Sequence, residues 1–293
     1  MATRGNIWKR PGVYFYDIAR VNASRDTLIG YCRDNGFGWV CLQCHNGNTL
    51  VFQDYIAEWR NAILKAGLDF GLWGVAQSDP SAEAALGDAQ IRKWRASFWI
   101  FDAEDTHKTD TGGTRAFSAT YVSAFRALQP TIKSALTSYG AASGDNLLGA
   151  TNDVNASVFD YKSWYDAGFQ FHPQAYPNQD PIYEPNLCTR HAFRAGWPAG
   201  RTNLIVGLYN ATLDGPGVYS GANYVTKLQA TAADSVPGSG KACAPDTAYS
   251  YSCWIGDCMV QQDFIDLGNA RASAPLGDDR NGRPSYADLV WAR

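Results

Sequence analysis

The chain has 293 residues, 45% of them hydrophobic, and carries a net charge of −3, so it can bury a substantial core in one large domain or two ordinary ones. Basic and acidic residues are mixed and no Lys/Arg run occurs, which excludes a nucleic-acid surface, and no apolar run approaches the roughly 20 residues of a membrane helix. The opening "MATRGNIWKRPG" has no apolar core or cleavage site, so it does not read as a secretory signal, and the product is expected to be made in a cytoplasm.

Along the chain, short β-branched and aromatic runs alternate with helical patterns. Val13–Asp17 ("VYFYD") reads as the first strand, followed by a helix over Ser24–Asn35 that starts at Ser24 and stops at Gly36. Gly38–Gln43 and a helix over Phe52–Ala66 form the second pair, and Asp69–Val75 with Ser81–Arg95 the third. Ser97–Ala103 precedes a helix over Arg115–Leu128, which Pro130 terminates. Ile132–Ser138 leads into a long connection whose last part, Ser157–Asp166, is predicted helical. Phe169–Tyr176 with Asn186–Ala195, Asn203–Tyr209 with Gly221–Ala233, and Tyr251–Asp257 with Val260–Arg271 complete the series.

Eight strand–helix pairs in strict alternation imply parallel strands joined by crossover helices. The expected fold is therefore α/β, a single-domain (β/α)8 TIM barrel with long loops over residues 1–274, followed by a polar tail or docking arm over 275–293. An open doubly wound sheet is the fallback, but no glycine-rich phosphate fingerprint follows the first strand.

In such a barrel, active sites form at the C-terminal ends of the strands. "SFWIFDAED" runs apolar and then ends in Asp102, Glu104 and Asp105. Side-chain alternation puts Phe98, Ile100, Asp102 and Glu104 on one face. If that face points inward, Phe98 and Ile100 fill the core, and Asp102 and Glu104 emerge at the mouth, about 7 Å apart along the strand. Asp17 is expected to close the first strand in the same manner, after Val13 and Phe15. Carboxylates gathered in this way repel, so at least one is expected to stay protonated, as a general acid must.

"DIARVN" after the first strand and "FDAED" after the fourth resemble the barrel lysozymes of glycoside hydrolase family twenty-five. That resemblance implies Glu104 as the acid protonating the glycosidic oxygen, Asp102 as the group steadying the acetamide or the developing positive charge, and Asp17 as a supporting carboxylate. The Asp-x-Glu also resembles the chitinase-like barrels of family eighteen, which add a Tyr near strand six and a Trp at strand eight. "PQAY" supplies Gln174 and Tyr176, and "SCWIGD" supplies Trp254, whereas "RASFWIF" stands where the longer acidic chitinase signature would lie. Both resemblances imply retention through attack by the substrate's own acetamide, an exception to the two-carboxylate scheme. Trp73, Tyr139, Tyr176, Tyr209 and Trp254 fall near strand ends, where a sugar could stack on them, although core packing claims most buried aromatics.

Other motifs carry less. "CLQCH" (Cys41–His45) matches a haem-attachment pattern, but alternation sends Cys41 and Cys44 to opposite faces. Zinc would need a second ligand pair, and "CWIGDC" has the wrong spacing. Cys243, Cys253 and Cys258 could supply one disulfide. No cofactor or metal is expected.

The leading expectation is a glycosidase acting on an N-acetylated cell-wall polysaccharide of the peptidoglycan type. A lysozyme-like barrel without a secretory signal suits a phage product, acting at the cell wall as a virion component or a released lysin. The second expectation is a structural or sugar-binding component of a phage tail, touching other tail proteins through its termini, since no separate wall-binding module follows the barrel.

Overall fold

A computed structural model describes residues 7–21, 23–103, 113–139, 159–176, 201–207, 250–254 and 259–273, together with Pro185, Cys188, Ala192, Trp197 and residues 222, 223, 225 and 226. The strands are β1 (Gly12–Phe15), β2 (Trp39–Asn46), β3 (Thr49–Leu50), β4 (Asp69–Val75), β5 (Phe98–Asp102), β6 (Lys133–Tyr139), β7 (Gln170–Ala175), β8 (Asn203–Gly207) and β9 (Ser250–Trp254). The longer helices are α1 (Arg25–Asp34), α2 (Gln53–Lys65), α3 (Pro80–Trp94), α4 (Gly113–Leu128), α5 (Tyr161–Asp166) and α6 (Gln261–Ser273). Among the described residues, eight strands are parallel, in the order β1-β2-β4-β5-β6-β7-β8-β9, and β1 pairs with both β2 and β9, so the sheet closes on itself. The expected closed ring of parallel strands is thus observed, while the helices expected over Asn186–Ala195 and Gly221–Ala233 fall largely outside the described residues.

Local chemistry explains the helix starts. Ser24 caps α1 by accepting from the Thr27 amide at 3.2 Å. Asp79 caps α3 by accepting from Ala82, with Pro80 in the first turn. Buried Glu83 reaches back from α3 to accept from the amides of Gln77, Ser78 and Asp79, fixing the loop that follows β4. Asp160 caps α5 through Ser163. That helix is shorter than the expected Ser157–Asp166 segment, whose first residues lie outside the described ones.

Side-chain alternation sorts the strands into two layers. Tyr14, Trp39, Cys41, Trp73, Phe98 and Ile100 fill the barrel interior. Val13, Phe15, Val40, Leu42, Trp99 and Phe101 form the outer layer beneath the helices. Phe98 and Ile100 therefore face inward as expected, but Val13 and Phe15 face outward. In β1 the inner positions belong to Gly12 and Tyr14. "VYFY" is apolar or aromatic throughout, so its pattern could not tell one face from the other.

Two glycines make room for large rings inside the barrel. A Cβ on Gly12 would stand 2.0 Å from the Trp39 indole, and one on Gly71 would stand 2.1 Å from the Phe98 ring. The lower end is closed by a 3-10 turn, Ile7–Lys9. Its Trp8 meets Trp39, Phe98 and His172 edge-on at centroid distances of 5.5, 5.2 and 4.8 Å. Just beyond the turn, Arg10 pairs with Asp69 at 2.8 Å, at the start of β4. Outside the wall, Tyr121 of α4 stacks on Phe101 at 3.8 Å, and its hydroxyl accepts from the Trp99 indole at 3.0 Å.

Candidate active site at the barrel mouth

The C-terminal strand ends bring a small set of polar side chains together. Asp102 is the last residue of β5 and follows inward-facing Ile100 by two positions, so it stands at the inner edge of the mouth. Its cross-strand partner is Thr137 of β6. One residue further round, the Gln174 side-chain amide on β7 donates to Asp102 Oδ1 and to Thr137 Oγ1, both at 3.3 Å. Three neighbouring strands thus deliver a carboxylate, a hydroxyl and an amide to one point. Backbone bonds hold the edge: Ala76 donates to the Asp102 carbonyl at 2.7 Å, and Ala103 to the Thr137 carbonyl at 3.0 Å.

Tyr176 lies two residues beyond Gln174, almost buried, and its ring joins the inner cluster. On the other side of the mouth, Trp73 of β4 reaches past β2, and its indole N–H donates to the Phe15 carbonyl at 3.0 Å. Trp73 is 1% exposed. It forms the floor between β5 and β1, with Tyr14 and Tyr16 flanking its ring at centroid distances of 6.4 and 6.3 Å.

Asp17 follows the end of β1, half-buried. Its carboxylate accepts from the Ala19 amide at 3.1 Å and lies 3.8 Å from Arg20, the pattern of a turn-forming aspartate. Trp254 is the last residue of β9, paired with Gly207. Tyr139 ends β6. Glu104 and Tyr209 lie outside the described residues, as do Cys243, Cys258 and the tail over 275–293.

Sequence reasoning passed over Thr137 and Tyr14 here. Thr137 sits two positions after inward Ala135, so alternation along "KSALT" could have found it. Tyr14 and His172 form a second tier below the mouth, with the Tyr14 hydroxyl 2.6 Å from His172 Nδ1. No local signal in the sequence pairs residues so far apart. Burial pushes the His172 imidazole down to about 3, so it stands neutral in the barrel. The "CLQCH" thiols take opposite sides of the wall, Cys41 in the interior and Cys44 in the outer layer, and no single ion could join them. Burial raises both thiols well above their ordinary range, which keeps them protonated. His45 belongs to the outer layer, stacked on Trp99 at 5.5 Å. Among the described residues, no group of three His, Cys, Asp or Glu side chains could hold a metal ion.

No family model and no curated protein sequence matches the chain. Solved structures do. A class V chitinase from Pseudomonas fluorescens superposes with a TM-score of 0.62 at 13% identity, over 89% of this chain and 99% of that one. A family-eighteen chitinase from Pseudoalteromonas aurantia gives 0.60 at 11% identity, over 90% and 99%. The spore cortex-lytic enzyme SleL of Bacillus megaterium gives 0.55 at 9% identity, over 92% and 75%. At these identities the likeness is one of fold: this chain shares the closed parallel barrel of carbohydrate-processing enzymes.

Proposed function

We propose that this barrel is a glycoside hydrolase acting on an N-acetylated polysaccharide of the cell-wall type. The observation that carries the reading is the placement of Asp102, held at the inner edge of the mouth by Gln174 and Thr137. Chemically competent acids belong at this end of a parallel barrel. The solved neighbours, described as chitinases and a cortex-lytic enzyme, support the same class of substrate.

In this reading Glu104, two residues beyond Asp102, protonates the glycosidic oxygen of the leaving sugar. Asp102 accepts from the N–H of the substrate's acetamide and turns its carbonyl oxygen onto the anomeric carbon. The C–O bond to the leaving sugar breaks as the acetamide oxygen closes a five-membered ring. Water then opens that ring with Glu104 as base, and the anomeric configuration is retained. Gln174 and Thr137 keep Asp102 aimed while the acetamide moves, and Tyr176 and Trp254 line the sugar's position. Tyr209 serves as an additional aromatic contact, whereas Asp17, which follows outward-facing Val13 and Phe15 and accepts from the Ala19 amide, shapes the turn after β1.

The test is release of reducing ends from purified peptidoglycan, chitin and N-acetylated oligosaccharides. Glu104→Gln keeps the side chain's size but removes the proton, so turnover is expected to fall by about a hundredfold or more. Wild-type protein without turnover on any of these substrates overturns the hydrolase reading. If it still sedimented with intact cells or with phage tail particles, the barrel would be a carbohydrate-binding component instead.

A further inference from the structure

The lower layer of the barrel holds a polar site that the proposed reaction does not use. His172 and Asn203 are both wholly buried. His172 stands inside the barrel, where its ring meets Trp8 and Trp39. Asn203 opens β8, two positions before inward Ile205 and next to outward Leu204, so alternation turns it inward as well. The two residues are lateral neighbours. Phe171 bridges Thr202, and Gln174 pairs with Ile205, which sets His172 opposite Asn203 in the same register. Neighbouring strands lie about 4.8 Å apart, so the two side chains leave the wall side by side.

Their polar atoms are only partly matched. His172 Nδ1 lies 2.6 Å from the Tyr14 hydroxyl. A separation below about 2.7 Å is characteristic of an O–H donor rather than an N–H donor, so the phenol donates. The proton of the neutral ring then sits on Nε2. Among the described residues, neither this Nε2 nor Oδ1 and Nδ2 of Asn203 has a hydrogen-bond partner. Buried polar atoms are bonded, to protein or to ordered water, with few exceptions. A group between these two side chains must accept from Nε2–H and donate to Oδ1. Water does both, whereas a cation would confront the N–H and an anion would confront Oδ1.

We propose that an ordered water molecule is bound inside the barrel between His172 Nε2 and Asn203. It completes a chain from the Tyr14 hydroxyl through the imidazole and the water to the amide. The site goes beyond the hydrolase reading and does not depend on it. The bridge holds His172 in a single tautomer. It also links β1, β7 and β8 through their interior side chains, although β1 and β7 are not sheet neighbours.

Three measurements on the full chain test the site. Nitrogen NMR of the wild-type imidazoles, with His172 assigned by its loss in His172→Gln, is expected to show Nε2 protonated and Nδ1 bare. Oxygen-17 relaxation dispersion, which detects long-lived internal waters, is expected to register the loss of one such water in Asn203→Leu, a variant of similar size without polar atoms. Circular dichroism checks that this variant folds. A crystal structure of the wild-type protein, which needs no variant, is expected to show a water within hydrogen-bond distance of both Nε2 and the Asn203 amide. A ring protonated on Nδ1 overturns the proposal, as does Nε2 bonded directly to Asn203. So does an Asn203→Leu protein that folds and keeps every long-lived water.

Discussion

Acid should destabilise this protein through two imidazoles that have nothing to do with sugar. His172 is enclosed in the barrel by Trp8, Trp39 and Tyr14, and His45 is pressed between the outer wall and Trp99. Burial lowers His172 to about 3 and His45 to about 4, while the Gly47 carbonyl, 2.8 Å from His45 Nδ1, only partly opposes the shift. In the unfolded chain both return to about 6.5. Above that pH neither state binds these protons and the native fold keeps its full stability. Below it the unfolded chain takes them up and the native one does not, so stability falls until the folded values are reached. Each group contributes about 1.4 kcal/mol per pH unit, and the two together remove about 5 kcal/mol between pH 8 and pH 4.5. That is a large share of the roughly 5–15 kcal/mol of a typical domain. Urea unfolding at half-unit pH steps measures it. His172→Gln, which keeps a polar group toward Tyr14, should remove about half of the histidine-linked slope, near one proton per molecule unfolded at pH 5. A variant whose stability falls as steeply as the parent's, or a native imidazole found by NMR to titrate near 6.5, would refute the reasoning.

Two further substitutions test the site and its support. Gln174→Leu removes the amide shared by Asp102 and Thr137, and is expected to lower kcat/KM on N-acetylated oligosaccharides by about tenfold or more, with the thermal midpoint as the control for folding. Tyr121→Phe takes the acceptor from the buried Trp99 indole N–H and should cost about 1–3 kcal/mol in urea unfolding without changing oligosaccharide affinity.

Much of this architecture is legible without coordinates, for a definite reason. A parallel strand buried on both faces is a short apolar run, and a crossover helix is a long amphipathic one, so eight alternations announce themselves. Asp69–Val75 is observed with the expected bounds, and Phe98–Asp102 lies within the expected run. Three features escaped. The inward face of β1 could not be read, because Tyr14 and Phe15 are equally at home on either side of the wall. The hairpin to β3 was missed although "HNGNTL" signals it: Asn46 pairs with Thr49 across the two-residue loop Gly47–Asn48, and Gly47 has a φ of 53°. The grouping of Gln174 with Asp102 depends on ring closure, which brings residues 72 apart in sequence to one hydrogen bond. Local pattern fixes which way a strand residue alternates. It says nothing of which distant residue it will meet.

The hollow left at Gly12 and Gly71 has a consequence for how this chain can drift over generations. Each large interior ring occupies the space where another strand's side chain would otherwise begin. An alanine at position 71 becomes tolerable only after Phe98 has shrunk, while a smaller residue at 98 alone opens a void. The same holds for Gly12 and Trp39. Such pairs are ratchets, with either single step penalised and the double step close to neutral. Among descendants of this barrel, these positions should change together or not at all, even as the exposed helix faces diverge freely.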